Sequence, residues 1–312
     1  MRTLRNIVII LLFMGLPATL LADVTVGGLP ETSKWYFHAD FAEMRSSDAG
    51  KHLYGWLQGE VFDDIREDVG VDFDKEADTL TAYSVPNGGT VVVIAGRISQ
   101  ETQDKILAMG ASSGSLDKLG SGNKTYYHIK DDGHDDDSDH DHGNVDIDVD
   151  GFDDGAFFTF AVKNKIIVAS TEGAIQSLIA NKGKVDVAKS QKGALFVLSA
   201  ERNLVQAGVK ANELGDDVGW DSNILRNTEQ AALLIADEAG KIAIEAQLVT
   251  TEKEMANSLA SIVRGLISLQ IFNDDLDPEV ASFLQNTSVE VDDKTLKLKV
   301  ALDPEFVVAA LD

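Results

Sequence analysis

Residues 80–98 read LTAYSVPNGGTVVVIAGRI, and residues 231–249 read AALLIADEAGKIAIEAQLV. Each is an apolar run, a turn ending in Gly (Pro86-Asn87-Gly88-Gly89 and Asp237-Glu238-Ala239-Gly240) and a second apolar run. Runs of this length bounded by Gly, Pro, Asn and Asp signal strands, and a short Gly-ended turn between two of them makes an antiparallel hairpin. A hydroxyl residue follows each pair, Ser99 in the first and Thr250 or Thr251 in the second, and can start a helix by accepting its free amide hydrogens. In the second copy Thr251 and Glu254 have capping-box spacing, and Met255, Leu259, Ile262, Val263, Leu266 and Ile267 recur at helical spacing.

The same grammar extends in both directions. Upstream of the first hairpin, Trp35–Ala39 reads as a strand, and Asp40 with Glu43 starts a helix that breaks near Ser46–Gly50. Beyond the break, Leu53, Trp56, Leu57, Val61, Ile65 and Val69 form one apolar stripe that ends at Gly70. Upstream of the second hairpin, Leu195–Ser199 and a helix through Leu204, Val205 and Val209 repeat that entry. Downstream of the first, a loop over Gly110–Gly122 leads to strands at Thr125–Ile129, Phe157–Val162 and Ile166–Ala169, then a Thr171-capped helix with Ile175, Leu178 and Ile179 on one face. Downstream of the second, Asp274–Pro278 closes the helix. Strands Thr287–Val291 and Thr295–Leu302 follow, and Asp303 with Pro304 starts a final helix. The expectation is an α+β fold of two pseudo-repeats, each strand, helix, strand pair, helix, strand pair, helix. Its sheet is mostly antiparallel with helices on one face, and Lys297 and Lys299 line the exposed face. Lys182, Lys184, Lys189 and Lys192 mark the joint, so the repeats span 23–189 and 190–312.

Residues 1–22 have the form of a secretory signal. Arg2 and Arg5 precede the apolar core Ile7–Leu16, Pro17 breaks it, and Leu20-Leu21-Ala22 offers a cleavage site. That core is too short to cross a bilayer, which takes about 20 apolar residues, and no later stretch is long and uncharged enough. The mature chain is therefore expected to be periplasmic or secreted, with no membrane span after signal cleavage. The chain of 312 residues has 52 acidic against 27 basic residues, a formal charge of −25. Such a polyanion excludes nucleic acid as a partner and attracts divalent cations and basic proteins. Cysteine is absent, which excludes disulfides, thiolate chemistry and Cys-based metal sites.

One stretch breaks the regular pattern. Of the 24 residues of 131–154, 12 are Asp and three are His. Asp146, Asp148, Asp150, the Phe152 carbonyl and Asp154 have the spacing that wraps oxygens around a hard cation, with Gly151 at the sharp turn. The run resembles the D-x-D-x-D-G calcium loops of EF-hands, dockerins and integrin-type propeller blades. Phe157 stands where an EF-hand needs a bidentate Glu, whereas Asp154 matches the ninth position of the propeller loop. The resemblance implies Ca2+ at those oxygens. His134, His140 and His142 alternate with Asp in a way that suits Zn2+ or another transition metal, and similar His/Asp-rich loops occur in periplasmic zinc-handling proteins. The alternative is a solvated acidic spacer with no site.

Enzyme signatures fail on context. Gly110-Ala111-Ser112-Ser113-Gly114 matches G-x-S-x-G but follows a helix, where a nucleophile elbow follows a strand. Gly120–Thr125 lacks the Gly and the helix of a phosphate loop. The chain is read as a non-enzyme, with Ser112 the surviving hydrolase candidate. His38 and His128 read as structural residues of strands. A second kind of function resides in the helix spanning 255–272, whose stretch 259–272 is apolar on more than one face, with Arg264 its one charge. Such a helix is ordinarily interior, here between the two halves; partly exposed, it would be a seat for a protein partner or an apolar ligand.

Overall fold

The computed structural model describes residues 33–85, 89–112, 116–130, 155–184, 193–201, 227–271 and 278–311. The expected signal segment, the acidic insertion, the helix expected through Val209 and most of the Lys-rich joint lie outside them. Two compact units result. One takes in Lys34–Gly59 and Asp186–Asp312, the other Pro30–Ser33 and Glu60–Val185. The strand and helices before Gly59 fall in the same compact unit as Asp186–Asp312.

In the first unit the strand order is β11 (Ser288–Asp292), β12 (Thr295–Leu302), β10 (Lys241–Thr250), β9 (Thr228–Glu238), β8 (Ala194–Glu201) and β1 (Trp35–Asp40), and every pairing is antiparallel. Asp40 ends β1 and caps α1 (Phe41–Ser46), its carboxylate accepting the Glu43 N–H at 2.8 Å. Gly50 then lets α2 (Gly50–Leu57) turn tightly against α1, since a Cβ there would lie 2.7 Å from Met44 Cα. A π-helical turn, Gln58–Phe62, adds a residue to the helical repeat. It breaks the single stripe expected from Leu53 to Val69: Phe62 takes the buried position and Val61 is turned outward.

The second unit orders its strands β2 (Ala77–Val85), β3 (Gly89–Gly96), β7 (Lys165–Ala169), β6 (Ala156–Thr159), β5 (Tyr126–Ile129) and β4 (Leu116–Leu119), again all antiparallel. Helices α3 (Asp63–Val69) and α4 (Phe73–Glu76) precede β2, α5 (Gln100–Ser112) follows β3, and α6 (Glu172–Ala180) follows β7. Val91, Ile167, Ala169 and Thr159 are fully buried on one face, as is Ile175 of α6, which packs on β6 and β7. Gly70 ends α3 in the left-handed region at φ 67°, and Thr171 caps α6, as the residue types predict.

Three elements depart from the sequence reading. β4 occupies part of the expected loop over 110–122; its Leu-Asp-Lys-Leu is too short and polar to signal a strand, and pairing with β5 makes it one. After α7 (Lys253–Ile271) comes a further helix, α8 (Pro278–Gln285), which packs on it. The Thr251–Glu254 box is replaced by other contacts: the Thr250 hydroxyl donates to the Lys294 carbonyl at 2.8 Å, and the Thr251 hydroxyl turns towards Asn227. The last helix, α9 (Pro304–Leu311), is capped by Asp303 as expected.

Candidate functional site: an apolar trough on the sheet

Cross-strand partners point to the same face of a sheet. In the first unit the registers therefore assemble three apolar rows from distant parts of the chain. One is Phe37, Leu198, Leu233, Ala246, Leu298 and Val289; another is Trp35, Ala200, Ala231, Leu248, Leu296 and Val291; the third is Ala39, Phe196, Ile235, Ile244 and Val300.

α7 covers one end of these rows. Leu259, Ala260, Val263 and Met255 pack on Leu296, Leu298, Ala246, Leu248, Val289 and Val291. Over β9, β8 and β1 the rows stay half-exposed at Phe37, Phe196, Leu233 and Ile235, and Leu198 is 42% exposed. The rings of Phe37 and Phe196 meet at 6.2 Å on this floor.

α7 also forms a wall. Arg264 leans off one flank and donates to the Val289 carbonyl of the outer strand β11 at 2.7 Å. At 100° per residue, Met255, Ile262, Leu266 and Leu269 lie on the opposite flank, which faces the β9 side. There Ile262 and Leu266 are each 39% exposed and Leu269 70%. The helix is thus not interior along its length: its first half is buried on the sheet, and the far half presents an apolar edge beside the open rows. Floor and wall together make an apolar trough. At one end of it, where β9 and α7 start, Glu229, Glu252 and Glu254 are all exposed.

The other face of this sheet is closed. Tyr36, His38, Val197, Leu234, Ala243 and Glu245 are buried. Lys297 and Lys299, expected on an exposed face, are drawn in by carboxylates. Lys297 is 4% exposed and its Nζ lies 2.9 Å from Asp292. Lys299 bridges Glu238 at 2.7 Å and Glu245 at 3.0 Å. Burial pushes the Lys299 ammonium down, but the two carboxylates outweigh it and hold its pKa above the usual range. The Lys297 ammonium holds Asp292 below the usual carboxylate range.

The metal candidates Asp146, Asp148, Asp150, Phe152, Asp154, His134, His140 and His142 lie outside the described residues. Their frame is described. β5 and β6 are neighbours, with Ile129 opposite Ala156, so residues 131–154 leave and re-enter at adjacent strand ends. Gly155 sits at φ 94° where a Cβ would meet the Ile129 carbonyl at 2.2 Å, so glycine is required. Lys130 pairs with Asp117 at 2.7 Å, and the His128 ring stacks on Phe157 at 4.2 Å. Among the described residues no three His, Asp or Glu side chains converge as a metal site. The Ser112 hydroxyl donates to the Met109 carbonyl at 2.7 Å in the last turn of α5. His38 stacks on Tyr36, and burial pushes its pKa down. Among the described residues no helix is long and apolar enough to cross a membrane.

No known family profile matches the chain, and no curated protein matches it. Among solved structures, crystal forms of a protein designated TP0453 align with the chain. Form III covers 92% of this chain and 96% of that one at 9% identity and a TM-score of 0.46. Form IV covers 92% and 95% at 9% identity with a TM-score of 0.48, and form I covers 92% and 95% at 8% with 0.42.

Proposed function

We propose that the chain is a non-enzymatic, periplasmic or secreted binding protein that seats an apolar ligand or partner segment in the trough between α7 and strands β9, β8 and β1. The observation that carries this reading is the run of exposed Leu198, Ile262, Leu266 and Leu269 around one apolar floor. Scattered exposed leucines are ordinary; a contiguous patch with a floor and a wall marks an interaction site. An environment-sensitive apolar dye tests it. The intact chain should enhance the dye's fluorescence, and Leu198→Asp and Leu266→Asp should each abolish most of the enhancement while leaving the circular dichroism unchanged. Enhancement by both variants equal to that of the intact chain would refute the trough as the seat.

The repeat belongs to the same proposal. The hairpin β2–β3, the helix α5 and the hairpin β6–β7, with β7 returning to β3, match β9–β10, α7 and β11–β12, with β12 returning to β10. A capped helix closes each set, α6 and α9. The inference is of two copies of one pattern, the first carrying β4, β5 and the acidic insertion as additions.

Calcium binding at Asp146, Asp148, Asp150, the Phe152 carbonyl and Asp154 is a further proposal, supported by their spacing and by the paired stems of the insertion. Calorimetric titration with calcium and with zinc tests it. Heat no greater than from a scrambled loop peptide would remove it.

A further inference from the structure

Resting on the trough as a binding seat, we propose that its occupant is a single basic amphipathic helix of a partner protein. Width is the first argument. Strands lie about 4.8 Å apart and a helix with its side chains is about 10 Å across, so three strands offer the floor for one helix. A single acyl chain, narrower than a helix, would leave Phe37 or Leu233 bare. The wall is the second argument. Ile262, Leu266 and Leu269 follow one another at helical spacing along the flank of α7. Such a row forms the ridge into which a neighbouring helix packs, at an interaxial distance of about 8–10 Å. A helix laid there would continue the layer that α7 begins over β10, β12 and β11.

Charge is the third argument. The exposed carboxylates of Glu229, Glu252 and Glu254 stand at one mouth of the trough, against Lys34 and Lys253. The chain as a whole carries −25. An apolar segment with acidic flanks would be repelled, and one with Lys or Arg on its solvent face and at its end would be steered in.

The test uses two helix-forming peptides, one of Leu and Lys and one of Leu and Glu, titrated against the intact chain with the apolar dye in place. The Leu/Lys peptide should displace the dye and gain helicity, and the Leu/Glu peptide should do neither. The triple variant Glu229→Lys, Glu252→Lys, Glu254→Lys should weaken the Leu/Lys peptide by about tenfold while still binding dye. Leu266→Asp separates docking from bulk attraction, because it makes the chain more acidic yet removes the seat. It should weaken the peptide, and tighter binding would overturn the proposal. Displacement by a fatty acid but not by the peptide would overturn it in favour of an acyl ligand. A concentration-dependent dimer that itself excludes the dye would overturn it in favour of a second copy. Failure of the dye assay alone would fall on the trough reading, and failure of the peptides with dye still bound would fall on this inference alone.

Discussion

The carboxylate of Asp237, in β9, accepts the backbone N–H of Ala49 at 2.7 Å, across 188 positions of sequence. It also accepts the Gly240 N–H at 2.9 Å. One side chain therefore closes its own hairpin turn and caps the start of α2. Burial raises its pKa, but the backbone N–H groups of Gly240, Ala49 and Gly50 and the Ser47 hydroxyl outweigh burial and leave it depressed. A depressed folded pKa means stability that is present above the unfolded value, about 3.9, and lost as the pH falls through the folded value. Asp237→Ala should cost about 1–2 kcal/mol at neutral pH. The gap between wild type and Asp237→Asn in urea unfolding should narrow below about pH 4. A gap independent of pH would show that the charge of Asp237 contributes nothing.

Lys299 holds the buried carboxylate of Glu245, whose Oε2 has no hydrogen-bond partner among the described residues. Removing the cation leaves that charge uncompensated. Lys299→Met should destabilise by about 3 kcal/mol, and Lys299→Met with Glu245→Leu should recover most of the loss. Chemical denaturation of the double-mutant cycle measures this, and additive losses would refute the pair.

The two ends of α7 should respond oppositely to truncation. Leu259 is 5% exposed and packs on Leu296, so Leu259→Ala should cost about 2–4 kcal/mol. Leu269 is 70% exposed, and Leu269→Ala should change stability by less than about 0.5 kcal/mol. Comparable losses in denaturant midpoint would mean that the far end of α7 is covered.

Residues 131–154 put 12 Asp in 24 positions with no Lys or Arg among them. Calcium at a hundredfold excess over its dissociation constant should add about 2.7 kcal/mol to the folded state. Melting temperature and protease resistance of this segment should rise with millimolar calcium and much less with matched sodium chloride. Asp146→Ala or Asp150→Ala should erase the calcium effect more than His140→Ala. Equal effects of the two salts would mean charge screening and no site.

Hairpins and capped helices are local, and they were legible: Asp40, Thr171 and Asp303 each cap the helix their position announces. The phase slip at Gln58–Phe62 was not, because a π turn leaves the residue types of a stripe unchanged while rotating them. Nor was the burial of Lys297, which depends on Asp292 across the β11–β12 turn and on a closed face beyond it. The trough was half legible. The sequence showed the stretch 259–272 to be apolar on more than one face, but the floor joins Phe37, Leu198 and Leu233 from three segments, and only strand registers bring them together.

The hydrogen bond from Arg264 to the Val289 carbonyl has a bearing on self-assembly. β11 is the outermost strand of its sheet, and a rim strand with vacant backbone groups is a template for further strands. Arg264 occupies one of those acceptors from above, and exposed Glu290 repels a second copy aligned alongside. The fibre-forming hazard of an open edge is therefore restrained from two directions, by a guanidinium laid over the strand and by negative charge along it.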